Sequence, residues 1–403
     1  MASASEALSG PGSSVPARRS GRSLRPRLPG YARLVNHILV SQDLRTLIQD
    51  GAIGALRPIR PVQIQPSSLD LRLGARAWPL LSSFLPGTRG VERKLGRLAL
   101  DELRLDSEKP TLFQQDTVYL VEVEEVLELP ADVWGRANPK SSSGRLDMFV
   151  RLLTEHGHAF DLVPAGYRGR LYMEVTPQSF HTLVRRGDTL GQLRLARGRP
   201  RLGATELAEV QATTPVIRWS DGRPGPVADD DTPGVQMSVD LHDGDGKGIV
   251  GYQARLHRPP IDLARRDYDR DRYWSPIPAD PSGEGVVLEP EQFYIFATRE
   301  RLWIPPGLCA ELVPFDATKG ELRTHYAGFI DSGFGYGDGS ATESGARLVL
   351  EIRTRDVPFL LEHGQPLFRV ELLRNRADPD VLYGRELSSN YQMQGLKLAK
   401  QFS

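Results

Sequence analysis

Cysteine is almost absent from this chain: Cys309 is the only one in 403 residues. That excludes an intrachain disulfide framework, a Cys-rich structural zinc site and the His/Cys/Cys zinc centre of common nucleobase deaminases. An excess of either charge is absent too, with 51 Lys and Arg against 51 Asp and Glu. No global field therefore steers the chain to nucleic acid or to an anionic membrane. No apolar run approaches the roughly 20 residues that a membrane helix needs. A reducing, cytoplasmic setting is the expectation.

Helical signal is sparse as well. The best candidate is "SQDLRTLIQDGAI" (41–53), where Ser41 can cap, Leu44, Leu47 and Ile48 form an apolar stripe, and Gly51 can end the helix. Residues 1–36 are a basic tail rich in Ser, Gly, Pro and Arg, without the apolar core of a secretory signal, and are expected to be disordered.

What the chain does contain is itself, twice. "FQQDTVYLVEVEEVLELPADVWGRANP" (113–139) lies over "LEPEQFYIFATRERLWIPPGLCAELVP" (288–314) at a constant offset of 175, pairing Glu125 with Glu300 and Pro139 with Pro314. "GRLYMEV" matches "ARLVLEI" at an offset of 177, which pairs Glu174 with Glu351. Upstream, "SSLDLRLG" resembles "MSVDLHDG" and pairs Asp70 with Asp240. Short apolar runs bounded by Pro and Gly make each copy β. The expected fold is mainly β: two tandem β-barrel or jelly-roll domains with few short helices. The boundaries expected are 37–200 for the first copy, 201–234 for a linker rich in Pro, Gly, Asp and Thr, 235–382 for the second copy, and 383–403 for a C-terminal segment.

The chemistry concentrates in "NPKSSSGRLDMF" and "GYRGRLYMEV". Lys140, three hydroxyls, a glycine and Arg145 in one loop suit a phosphate chain or a developing oxyanion. Glu174 sits in an apolar strand, where burial raises a carboxyl pKa and suits a general base near neutral pH. The bland alternative is a Ser-rich turn and an edge-strand glutamate paired with an arginine.

The surroundings resemble the dCTP deaminases, relatives of the trimeric dUTPases, over both copies. "ILVSQDLRTLIQDGAI" with "IQPSSLDLRLG" looks like the family's N-terminal signature. "KSSSGR" is similar to its Arg-Ser-Ser-x-x-Arg loop, with Lys140 replacing the arginine. "YRGRLYMEV" resembles the strand that carries the catalytic glutamate, and "RRGDTLGQLRL" the turn that follows, with Gln192 as its glutamine. "YGRELSSNYQMQG" is similar to the C-terminal lid, with Tyr383, Tyr391 and Gln394 in place and Asn390 where the family has lysine.

The resemblance implies hydrolytic deamination of dCTP to dUTP and ammonia without zinc. Glu174 would activate water, and Ser141 and Arg145 would position it and stabilise charge. Lys140, Ser142, Gln192, Tyr383, Asn390 and Gln394 would hold the nucleotide, and Mg²⁺ would bridge its phosphates. Asp161 would contact the deoxyribose, with Tyr167 or Phe160 near the sugar. At the offset of 175, Lys140, Ser141, Ser142 and Arg145 fall on Phe315, Asp316, Ala317 and Gly320. The second copy therefore reads as a degenerate, structural one, with Glu351 an ordinary strand acid. Alternatives in the same fold are a dUTP diphosphatase, for which "YAGFID" (326–331) has some flavour, and a bifunctional enzyme forming dUMP. A non-catalytic nucleotide-binding module is the third. A homo-oligomer is expected, with a trimer favoured, and neither nucleic acid nor membrane is an expected partner. "DGDGKG" (243–248) lacks the acid at position twelve of a calcium loop, where Ala254 stands, and reads as a hairpin turn. His156 and His158 read as loop residues rather than metal ligands.

Overall fold

A computed structural model describes residues 36–226, 234–280, 282–314, 323–324, 328–337, 345–354, 356–384, 387 and 391–402. Residues 1–35 of the basic tail, Asn390 and the stretch 315–320 lie outside the described residues. In the first copy the main strands are β1 (Leu69–Leu80), β2 (Val118–Glu128), β3 (Val133–Pro139), β4 (Met148–Thr154), β5 (Arg168–Pro177) and β6 (Thr189–Arg197). They lie in the order β4-β5-β2-β1-β6-β3 within a ten-stranded sheet. Its ends β3 and β4 also meet, so the sheet nearly closes into a barrel. In the second copy they are β7 (Val235–Ser238), β8 (Phe293–Leu302), β9 (Leu308–Pro314), β10 (Phe329–Ile330), β11 (Ala346–Arg353) and β12 (Pro366–Arg374). Here β11 pairs β8, and β12 lies between β7 and β9.

The two copies share register as well as order. Glu174 on β5 stands opposite Leu120 on β2, and Glu351 on β11 stands opposite Ile295 on β8. Leu193 pairs with Ala137, and Val370 with Leu312. A single residue of slip would turn every side chain to the other face, so matching register over separate pairs is the structural mark of the duplication. The offset drops between these strands: Gly135 meets Val163, whereas Ala310 meets Ile330. Asp161 is thus equivalent to Gly328.

The helices correct the expectation in two places. The helix α1 (Ser41–Gln49) starts one residue earlier than read, because Val40 is its N-cap and the Asp43 carboxylate accepts the Val40 N–H at 3.0 Å. A second helix, α2 (Gly90–Leu98), was not foreseen. It covers the outer face of β2 and β5, where Trp78, Leu120, Leu153 and Tyr172 form their own cluster with Val91. His156 packs against Gly90 in this region and His158 against Gly87. The linker is not featureless either: helix α4 (Ala204–Thr213) follows α3 (Ser141–Gly144, the serine loop), and Ile217–Arg218 pairs with β8. A turn forms at Asp243, its carboxylate accepting the Lys247 N–H at 2.9 Å, but it is not the expected hairpin: Val235–Ser238 before it and Ile249–Ala254 after it lie in different sheets.

The copies are fused rather than strung together. The larger core mixes Leu171, Met173 and Val175 of the first copy with Trp274, Phe293 and Ile295 of the second, and with Leu398 and Ala399 from the C-terminus. Buried ion pairs cross the seam, Arg194 to Asp331 at 2.9 Å and Arg353 to Asp147 at 2.6 Å. Among the described residues no helix is long and apolar enough to cross a membrane.

Candidate active site

Strand alternation decides which acid meets the serine loop. In β5, Leu171, Met173 and Val175 point into the core, so Glu174 points out with Tyr172. That outer face is already covered by the α2 region. The Arg151 Nε donates to Glu174 Oε1 at 3.1 Å, its Nη2 also pairs with Oε1, and the same guanidinium donates to Ser83 at 2.9 Å. Phe160 stacks on Arg151, 3.5 Å from its guanidinium carbon, and Phe149 lies 4.6 Å away. Glu174 is only 1% exposed, and its space is filled from within its own copy.

In β11 the same alternation turns Leu350 and Ile352 into the second core and sends Val349 and Glu351 outward. Among the described residues no helix like α2 covers them. Their cover is the serine loop of the first copy. A Cβ built on Gly144 would sit 2.7 Å from the Glu351 Cδ, so the glutamate carboxylate packs directly on that glycine. Glu351, Lys140, Ser141, Ser142 and Arg145 line one cavity of about 360 Å³. The expectation that Glu174 stands beside Ser141 and Arg145 is therefore corrected. The acid that meets the loop is Glu351, the residue read from sequence as an ordinary strand acid.

The loop is held on the first copy's own sheet. The Lys140 N–H donates to the Leu190 carbonyl at 2.8 Å, and the Ser143 hydroxyl donates to the same carbonyl at 3.0 Å. Ser143 is thereby turned away, leaving Ser141 and Ser142 to the cavity. Lys140 is ion-paired with Asp70, whose carboxyl burial holds above the ordinary range despite that partner. Gln192 sits between Asp70 and Asn138 in the sheet register and lines the cavity with Thr189.

Arg145 is 2% exposed and is gripped by the C-terminus. Its guanidinium donates to the Lys397 carbonyl at 2.8 Å and to Gln394 Oε1 at 2.9 Å, and it lies 3.9 Å over the Tyr391 ring. Gln394 in turn donates to the Arg347 carbonyl at 3.1 Å and accepts at its own carbonyl from the Arg347 N–H at 3.0 Å. Gln394 thus ties the first copy's arginine to the second copy's glutamate strand. Tyr383 and Tyr391 both line the cavity, and burial pushes both phenols up. Phe329, Ile330 and Phe334 give it an apolar wall, next to Asp331.

Asp161 is not brought into this cavity. It accepts the Leu152 N–H at 2.7 Å within its own copy, and burial pushes its carboxyl up to about 7. Tyr167 is similarly occupied, accepting from Glu155 N at 3.0 Å, and Phe160 is the platform under Arg151. Another acid, Asp331, does line the cavity while accepting from Ser67 at 2.6 Å and Ser68 at 3.1 Å. Sequence reading also missed Arg60, Gln63 and Lys400, which line the cavity from loops and from the C-terminal end. For Asp331 the signal was there in "YAGFID"; for Lys400 there was none.

The Gly144–Glu351 contact gives a first test. Gly144→Ala should push the carboxylate off the loop and lower turnover roughly tenfold or more, as a displacement near 1 Å does in an oriented site. Circular dichroism should show the fold retained; unchanged steady-state kinetics would mean the carboxylate has no role at the loop.

Comparison with known proteins agrees over both copies. Residues 35–199 match the N-terminal domain of 2'-deoxycytidine 5'-triphosphate deaminase, and residues 204–402 match its C-terminal domain. A crystal structure of 2'-deoxycytidine 5'-triphosphate deaminase from Agrobacterium tumefaciens superposes with a TM-score of 0.77 at 37% identity, covering 85% of this chain and 100% of that one. A dCTP deaminase of Sulfurisphaera tokodaii is 28% identical over 160 residues, which is 40% of this chain and 79% of the relative. A Halobacterium salinarum protein described as a dUMP-forming dCTP deaminase is 28% identical over 200 residues, 49% of this chain and 92% of the relative.

Proposed function

Because the chain belongs to the 2'-deoxycytidine 5'-triphosphate deaminase family, we propose that its cavity hydrolyses the 4-amino group of dCTP, with Glu351 as general base. The observation that carries this reading is the Glu351 carboxylate packed on Gly144 inside the serine loop. Glu351 takes a proton from water as its oxygen attacks C4 of cytosine. It passes that proton to N3, then takes the proton of the new C4 hydroxyl and delivers it to the exocyclic nitrogen; the C4–N4 bond breaks, and ammonia leaves as the C4 carbonyl forms and Glu351 is ionised again. Ser141 orients the water. Arg145 presents a fixed positive charge to the tetrahedral centre, because the C-terminal contacts hold it in place before substrate arrives. Phe329, Ile330 and Phe334 exclude water around the base.

Lys140, Ser142 and Gln192 bind phosphate oxygens, and Tyr383 and Gln394 close the site around the nucleotide. Mg²⁺ fits this site as a companion of the triphosphate. Among the described residues no three His, Cys, Asp or Glu group into a metal cage, and Asp70 beside the loop is taken by Lys140. When bound with the phosphates, the ion supplies neutralisation of their charge.

The test is ammonia release from dCTP with Mg²⁺, with the nucleotides separated and dUTP in a parallel reaction. Ammonia with dUTP accumulating is the expected result. Ammonia with dUMP identifies the bifunctional activity that the Halobacterium relative's description favours. Formation of dUMP from dUTP with no ammonia from dCTP would replace deamination by a diphosphatase activity. No reaction in either tube would overturn the proposal.

A further inference from the structure

Two cations that line the cavity have no work in the reading above, Arg60, which is exposed, and Lys400, which is half-buried. Lys400 lines the cavity with Lys140, Ser142, Thr189 and Gln192. Its backbone is pinned: its N–H donates to the Tyr391 hydroxyl at 3.2 Å, and its neighbours Ala399 and Gln401 are 0% and 1% exposed. The Phe402 N–H closes the turn onto the Ala399 carbonyl at 2.9 Å. The side chain by contrast makes no hydrogen bond and no ion pair among the described residues.

The charges that act on Lys400 are Lys140 and Arg266, which repel it, and Asp70 and Asp188, which attract it. Neither acid is free for it. Asp70 is paired with Lys140, and Asp188 accepts the Arg185 N–H at 2.7 Å. Burial and the two cations hold the Lys400 ammonium down to about 8. A partly buried ammonium without a partner is costly, and an anionic ligand offsets that cost. Lys140, read above as a phosphate ligand, is the charge that acts most strongly on Lys400 and lines the same cavity, which sets the two cations to work on the same part of the nucleotide.

We infer that Lys400 receives the terminal phosphates of the nucleotide and makes the site select triphosphates over monophosphates. This rests on the deaminase reading and deepens it. The C-terminal segment then has two jobs: Tyr391 and Gln394 hold Arg145 at the chemical end, and Lys400 holds the phosphates at the other. The interaction needs the protonated amine. KM for dCTP should be flat below about pH 8 and climb about tenfold per pH unit above it, with kcat unchanged.

The experiment measures kcat and KM for dCTP, dCDP and dCMP between pH 6.5 and 9.5 on the full chain, for wild type, Lys400→Met and Lys400→Arg. Lys400→Met should raise KM for dCTP by about ten- to a hundredfold, the scale of one charge-assisted hydrogen bond. It should leave kcat and the dCMP efficiency near wild type and abolish the alkaline rise in KM. Lys400→Arg should restore KM and carry the rise beyond the range measured. An unchanged KM for dCTP in Lys400→Met, or an equal loss with dCTP and dCMP, overturns the inference. If the wild type releases no ammonia from any of the three, the deaminase reading has failed by itself. Calorimetry with inorganic tripolyphosphate then decides Lys400 alone: weaker binding by Lys400→Met supports its role, and equal binding overturns it.

Discussion

Glu351→Gln should lower kcat by about 10²–10⁴, the usual contribution of a positioned general base, while KM for dCTP stays close to wild type. The amide keeps the shape of the side chain but cannot take the proton from water. The paired experiment is Glu174→Gln, which should leave kcat near wild type. It should cost about 1–3 kcal/mol of stability, because Arg151 loses its charged partner in a space that Phe149 and Phe160 close off. The two variants read out different things: one is dead and folded, the other active and less stable. The opposite pattern, a dead Glu174→Gln and an active Glu351→Gln, would return the catalytic role to the first copy.

Deleting residues 391–403 should do more than raise KM. Leu398 and Ala399 belong to the larger core, and Phe402 packs on Tyr268, Tyr273 and Trp274 with ring centroids 5.6–6.1 Å apart. Removing them should cost on the order of 5 kcal/mol, by the scale of large buried side chains, and lower Tm by roughly 6 °C. The same deletion strips Arg145 of Tyr391, Gln394 and Lys397, so kcat at low temperature should fall along with affinity. A truncated protein with wild-type Tm and only a weaker KM would make this segment the separable lid that its resemblance to the family's C-terminal motif implies.

The duplication, the β class and the serine loop were legible because each is local or periodic. A constant offset needs no three-dimensional knowledge, and strands bounded by Pro and Gly announce themselves. What failed was the choice between two glutamates that the sequence makes equivalent. Both stand on matched strands in matched register, Glu174 opposite Leu120 and Glu351 opposite Ile295. What separates them is what covers the outer face: α2 and Arg151 over one, the other copy's serine loop over the other. Arg151 lies 23 residues from Glu174 on the neighbouring strand, and Gly144 lies far from Glu351 in the chain. No motif spacing contains either fact. The pairing of an edge-strand glutamate with an arginine, the bland reading of Glu174, is what the structure contains. Lys400 escaped for a similar reason, since the motif directed attention to position 390 and the cation lies ten residues beyond it.

The Gly144–Glu351 contact lies within a single polypeptide, and that has a consequence for genetics. An enzyme whose halves come from different subunits can regain activity when two dead variants are mixed, because some junctions then draw both good halves. Here a chain carrying Ser141→Ala and a chain carrying Glu351→Gln each spoil the same cavity. Co-expressing the two should give no more activity than either gives alone, so the alleles would behave as one complementation group despite lying in different repeats.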